Sequence, residues 1–317
     1  MPKPTIKMQG QEGKSLNCAY GEFHTFKKII NPSKESLVFY ENKFKIFGMF
    51  YDTDQPCESV TKETIYKYIE HLQNKGTVND VTINSYVRGI RVIFYYFMEM
   101  GYMPKFSIKL IKCDKEIKET YTTEELDRLL KKPDVKKTGF AEYRGWVIVN
   151  YLLGTGNRLR TLLHLKWADV DFQNDLIRLT TLKNRKQQMI PLSSTLKSIL
   201  KEYRLYRKGN ADDYVFCSQF GEQLSKGGAE TSIRRYNQQR GVTKRSIHLF
   251  RHTFAKLWIL NGGDIFRLQK ILGHSSLDIV KEYVNMFSTD LQQNFDEFNP
   301  LENIKVKQKR SSIKMND

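Results

Sequence analysis

Arg158 closes the run Gly154, Thr155, Gly156, Asn157, where a glycine-bearing turn leads into the apolar positions Leu159, Leu162, Leu163 and Leu165. An arginine at the start of a helix, beside free backbone N–H groups, is placed to grip a phosphate oxygen. Further on, the run His248, Leu249, Phe250, Arg251, His252 brings His248, Arg251 and His252 to one side at helical offsets of three and four. Two histidines at that spacing also suit a metal, but the zinc-protease pattern needs Glu at 249, where this chain has Leu, so no metal is expected. In the run Leu272, Gly273, His274, Ser275, Ser276, the glycine is suited to close one helix and either serine to cap the next, leaving His274 in the turn. Tyr283 follows, one of 17 tyrosines, and its type alone leaves it an ordinary core or surface residue. Lys183 opens a polar turn between two apolar stretches. Two arginines, a lysine, two histidines and a tyrosine, with no acidic cluster for Mg²⁺ and no P-loop, fit phosphoryl transfer to a protein nucleophile. Guanidinium groups would meet the charge developing on phosphate oxygens, and no cofactor is expected.

The elements that must position these residues are mostly helical. After a loose tail over residues 1–20, helices are expected over Glu22–Ile30, from Ser33 to about Phe50, and from Thr61 to Asn74. A fourth carries Ile83, Tyr86, Val87, Ile90, Ile93, Phe94 and Phe97 on one apolar face. Its other side, Asn84, Arg88, Arg91 and Tyr95, is a polar, basic stripe that serves either DNA or plain solvent. From Met103 to Glu119 the period stops and lysines accumulate, among them Lys105, Lys109 and Lys112, predicting an extended basic connector over 105–120 between a helical domain at 21–104 and a second domain at 121–298. Thr122 with Glu125 forms a capping-box pattern at the second domain's start. Within it, Ile177 and Leu179 alternate with Arg178 and Thr180, a polar turn follows at Lys183–Lys186, and Met189–Leu192 returns, predicting a hairpin in a mainly α domain with a small sheet. Residues 299–317 read as a basic tail.

The chain has 317 residues, enough for about two domains, with 52 Lys and Arg against 35 Asp and Glu, a formal net charge of +17. Residues 151–250 alone hold 18 basic and 8 acidic side chains. Such a concentrated excess favours a polyanionic partner through phosphate neutralisation and counterion release. No apolar run is long enough for a membrane span and no signal segment opens the chain, so a cytoplasmic protein is expected. The four cysteines are scattered without metal or redox spacing.

In the order and spacing of these motifs the chain resembles the tyrosine recombinases, the family of phage and conjugative-element integrases and Xer-type resolvases, from about Glu22 to Phe298. The resemblance maps Arg158, Lys183, His248, Arg251, His274 and Tyr283 onto the family's active site. It implies a helical core-binding domain, with Asn84, Arg88, Arg91, Tyr95 and the connector lysines toward DNA, and a mixed α/β catalytic domain clamping the duplex from the other side. It also implies that Tyr283 attacks a scissile phosphate to give a 3′-phosphotyrosyl bond, with His248 as proton acceptor, Arg158 and Arg251 on the non-bridging oxygens, His274 adding a hydrogen bond and Lys183 protonating the 5′-oxygen. Two positions depart from the family's habit, Thr161 where an acidic residue is frequent and Asn285 where a histidine is. The expected partners are double-stranded recombination sites, three further copies of the chain in a synaptic tetramer, and an accessory DNA-bending or excision protein, in a nucleoid-associated setting. Leu291, Phe295 and Phe298 form a short apolar stripe that docks either on a neighbouring subunit or on its own domain. A type IB topoisomerase shares this chemistry, and a non-catalytic DNA-binding regulator would share the fold but lack the catalytic set.

Overall fold

The computed structural model describes residues 13–30, 33–113, 119–180, 187–274, 276–277, 281 and 283–284. The chain divides into two compact units, Met1–Glu116 and Ile117–Asp317.

The first unit consists of α1 (Leu16–Ile29), α2 (Lys34–Gly48), α3 (Lys62–Asn74) and α4 (Asp80–Glu99). Ser15, Ser33, Thr61 and Asn79 each accept a backbone N–H from the turn they open, which satisfies donors that a helix start leaves unpaired. The expected apolar face of α4 is buried: Ile83, Val87, Ile90, Ile93, Phe94 and Phe97 pack with Leu16 and Phe23 of α1, Phe44 and Phe47 of α2 and Tyr68 of α3. Phe47 meets Tyr68 and Phe94 edge-on, with centroids 5.1 and 5.2 Å away, a geometry the ring quadrupoles favour.

Two expectations need correction here. The first helix begins at Leu16, not in the twenties, because Leu16, Ala19 and Phe23 already form a buried face and Ser15 pairs with Pro56 in a β-bridge. The connector is not free of the first unit either: Met103 and Ile108 are buried in its core and Phe106, Leu110 and Ile111 pack on it, while Lys105, Lys109 and Lys112 face solvent.

The second unit opens with α5 (Thr123–Leu130), whose Thr122 and Glu125 form the capping box in both directions. Next, α6 (Phe140–Thr155) is apolar around nearly its whole circumference, as a helix at the centre of a domain must be. Against it pack α5, α8 (Ser194–Arg207), α9 (Lys226–Gln239) and α10 (His248–Leu260). A short α7 (Leu159–Leu163) follows the α6 turn and ends before Leu165, and α11 (Ile265–Leu272) follows α10. The sheet is antiparallel in the order β1 (Val170–Asp171), β2 (Leu176–Leu179), β3 (Gln188–Pro191). Ile177 pairs with Ile190 and both are buried, whereas Arg178 and Met189 form the neighbouring pair outside. The expected hairpin is thus present with an added strand, β1. Among the described residues no helix is long and apolar enough to cross a membrane.

Candidate active site

Three chain turns meet at one place in the second unit. The α6 helix ends in a left-handed Gly156, φ 62°, and a side chain there would press on Phe254 and Leu272 at 2.5 and 2.7 Å. The next residues are wired inward: the Asn157 amide donates to the Tyr151 hydroxyl at 2.8 Å, and the Thr155 hydroxyl donates to the Tyr151 carbonyl at 2.7 Å. This fixes Arg158 at the N-cap of α7, half-buried, with its guanidinium 3.4 Å from the Leu272 carbonyl.

From α10, Arg251 reaches the same carbonyl. It is 5% exposed and donates to Gly156 O at 2.9 Å and Leu272 O at 2.8 Å, and it lies 2.5 Å from His274 Nε2. Leu272 ends α11, so both guanidinium groups sit at the negative end of that helix dipole. Gly273 closes α11 in the left-handed conformation, as expected, and His274 is held in the turn by its N–H on Gln269 O. The Gln188 side chain on β3 donates to the Lys270 and Ile271 carbonyls, tying the hairpin to this turn.

Tyr283 is 2% exposed and packs among Ala255, Leu268 and Leu272. Its hydroxyl lies 2.7 Å from Nδ1 of His252, with the two rings 5.7 Å apart. Among the described residues neither Arg158 nor Arg251 makes an ion pair with a carboxylate. Burial, and then the repulsion of Arg158, pull the Arg251 guanidinium below its usual range, and burial does the same to Arg158. An ionised Tyr283 would favour the charged form of both. His248 is more exposed than its neighbours on α10, and desolvation followed by the fields of Arg251, Arg158 and Lys226 disfavours its imidazolium. Among the described residues the two guanidinium groups face main-chain carbonyls and the His274 ring and no carboxylate, an arrangement able to accept an anion.

Arg158, His248, Arg251, His274 and Tyr283 are therefore gathered at one end of the second unit. Lys183 and its turn, Ser275, Asn285 and the stripe at 291–298 lie outside the described residues. His252 was visible in the sequence only as a neighbour on the right helix face; nothing in its spacing tells it from a structural histidine. Among the described residues no three His, Cys, Asp or Glu side chains cluster as for a metal ion.

The first unit requires one further correction. Asn84 does not face a DNA groove: it is 4% exposed, its amide donates to Ile111 O at 2.9 Å and its carbonyl accepts Ile111 N–H at 3.0 Å. The connector returns along α4 and covers that end of the stripe. Tyr95 remains 41% exposed while its hydroxyl accepts the Ile108 N–H at 3.2 Å. Arg88 is exposed and Arg91 half-exposed.

The family model of the phage integrase family matches residues 119–289, more than half of the chain. The chain is 24% identical over 281 residues to the tyrosine recombinase XerD of Listeria innocua, an alignment covering 84% of this chain and 93% of that protein. It is 26% identical over 259 residues to XerC of Chlamydia caviae, covering 78% and 81%. Its fold is shared by the Tn1549 transposon integrase solved with transposon right end DNA, at TM-score 0.72, 19% identity and coverage of 88% and 96%. A lambda integrase tetramer bound to a Holliday junction gives TM-score 0.69 at 17% identity, covering 86% and 78%. The chain belongs to the phage integrase family and is a site-specific DNA recombinase of the tyrosine class.

Proposed function

We propose that this recombinase cuts and rejoins DNA through Tyr283, and that it serves the integration or excision of a mobile element. A phosphate entering the pocket would supply a counter-charge to the two guanidinium groups, its non-bridging oxygens held by Arg158 and Arg251 with His274 adding a hydrogen bond. Tyr283 Oη attacks phosphorus in line, the P–O5′ bond breaks, and a 3′-phosphotyrosyl bond forms. Lys183 delivers a proton to the departing 5′-oxygen. The covalent bond conserves the phosphodiester linkage, so a 5′-hydroxyl from a partner strand reverses the step without a cofactor. Exposed Arg88, Lys105, Lys109 and Lys112, with Arg91 and Tyr95, form the DNA-facing surface of the first unit, and four chains act together on two duplexes.

The observation that carries this reading is the convergence on one turn of two guanidinium groups that meet no carboxylate among the described residues, His274 and the buried phenol of Tyr283. It is tested with short nicked duplexes tiling the DNA that flanks the protein's own coding sequence, in which the nick lets the cut end diffuse away. An SDS-resistant protein–DNA complex is expected from the native chain. It should disappear in Tyr283→Phe while gel-shift binding persists, and an adduct surviving in that variant would overturn the assignment.

A further inference from the structure

We propose that His252 accepts the phenolic proton of Tyr283 as the nucleophile attacks. This rests on the assignment of Tyr283 as nucleophile. It departs from the expectation that His248 fills the acceptor role.

Geometry carries the proposal. A general base must reach the proton it removes, at a heavy-atom separation of about 2.6–3.2 Å. His252 Nδ1 lies 2.7 Å from the Tyr283 hydroxyl. The phenol is 2% exposed, so bulk water is a poor receiver for its proton. With the ring's proton on Nε2, Nδ1 presents its lone pair to the hydroxyl. His252 follows Arg251 directly on α10, so the helix that holds one phosphate-binding guanidinium also holds the base. The His248 ring starts α10 one turn earlier, and its side chain is more exposed.

The step balances without a further reactant. The Tyr283 O–H bond breaks and its proton joins His252 Nδ1; the freed oxygen pair forms the P–Oη bond; the P–O5′ bond breaks and its electron pair leaves on the 5′-oxygen, which takes a proton from the general acid. In rejoining, His252 returns its proton to the phenol as leaving group.

The test makes the base unnecessary. A general base contributes about 10²–10⁴-fold, so His252→Ala should slow adduct formation by roughly 10²-fold or more on a duplex the native chain cleaves. Incorporating a polyfluorinated tyrosine at 283, whose phenol is already ionised at neutral pH, should restore most of the lost rate in His252→Ala. It should do little for a variant that damages phosphate binding, such as Arg251→Lys. His252→Asn keeps a polar group beside the hydroxyl but cannot take up a proton, and it should behave like His252→Ala, including the rescue. Gel-shift binding equal to the native chain's shows that either variant is folded. The proposal is overturned if both His252 variants cleave at native rate, if the defect persists undiminished with the fluorinated tyrosine, or if His252→Asn restores cleavage with ordinary tyrosine. Absence of an adduct from the native chain would instead refute the nucleophile assignment itself.

Discussion

Arg251 spends its guanidinium on two main-chain carbonyls and the His274 ring, which makes it a structural tie beside its proposed role on the phosphate. A lysine keeps the charge but is a point donor that cannot span Gly156 and Leu272 while holding an oxygen. Arg251→Lys is expected to lower the rate of adduct formation by about 10²-fold or more, with site affinity changed little; a near-native rate in single-turnover cleavage would contradict the two-carbonyl tether. His248 gives a prediction in pH. Its folded pKa lies below the ordinary value near 6.5, so below that pH the unfolded chain binds more protons than the folded one and stability falls. The contribution is fully present above about pH 6.5 and is lost as acidification proceeds toward the folded value. Thermal melts between pH 7.5 and 5.5 should show a shallower decline for His248→Gln than for the native chain, and parallel curves would remove His248 from that account. At this scale the structure brings together Arg158, Arg251, His274 and Tyr283, the residues that type and spacing single out in the sequence. The sequence misled at Asn84, which shares helical spacing with Arg88 and Arg91, because periodicity does not reveal that a distant segment will cover one end of a polar stripe.

Gly156 shows how an element boundary sets the site. Its left-handed backbone ends α6, its carbonyl receives Arg251, and Phe254 with Leu272 leaves no room for a side chain. Gly156→Ala combines a left-handed alanine, about 1–2 kcal/mol, with overpacking of about 1–3 kcal/mol. The second unit should melt several degrees lower and cleavage should weaken with it, as calorimetry and adduct assays would show; an unchanged melting temperature would mean that the turn yields easily. The helices were legible through apolar period and caps, and the hairpin through alternation of Ile177 and Leu179 with polar neighbours. The start of α1 was hidden because Lys14 to Tyr20 is mostly polar and small, and its helical face is defined by only Leu16 and Ala19 before Phe23. The brief β1 was hidden for a related reason, since two residues, Val170 and Asp171, cannot display a period.

Over the whole molecule, the +17 charge predicts DNA affinity that falls steeply with salt. Neutralising one phosphate contact removes about 0.9 from the slope of log K against log salt, so Arg88→Ala and Arg91→Ala should each flatten it by roughly one. Asn84→Ala should lower the first unit's melting temperature by removing its bonds to Ile111, and an unchanged melting temperature with weakened DNA binding would return Asn84 to the DNA surface. The two-part organisation was visible in the lysine-rich break after Met103, but the attachment of that segment to the first unit was not. Its anchors, Met103 and Ile108, stand with Phe106, Leu110 and Ile111 among lysines and acquire meaning only when the core beside α4 exists. The central claim, that the second unit's basic pocket serves a covalent Tyr283–DNA bond, is tested most directly by locating the bond. The SDS-stable complex is digested with trypsin and nuclease and the attached nucleotide is mapped by mass spectrometry. The expected result is a nucleotide joined through its 3′-phosphate to Oη of Tyr283, with a free 5′-hydroxyl on the released strand. Attachment to any other residue, or through a 5′-phosphate, would contradict it.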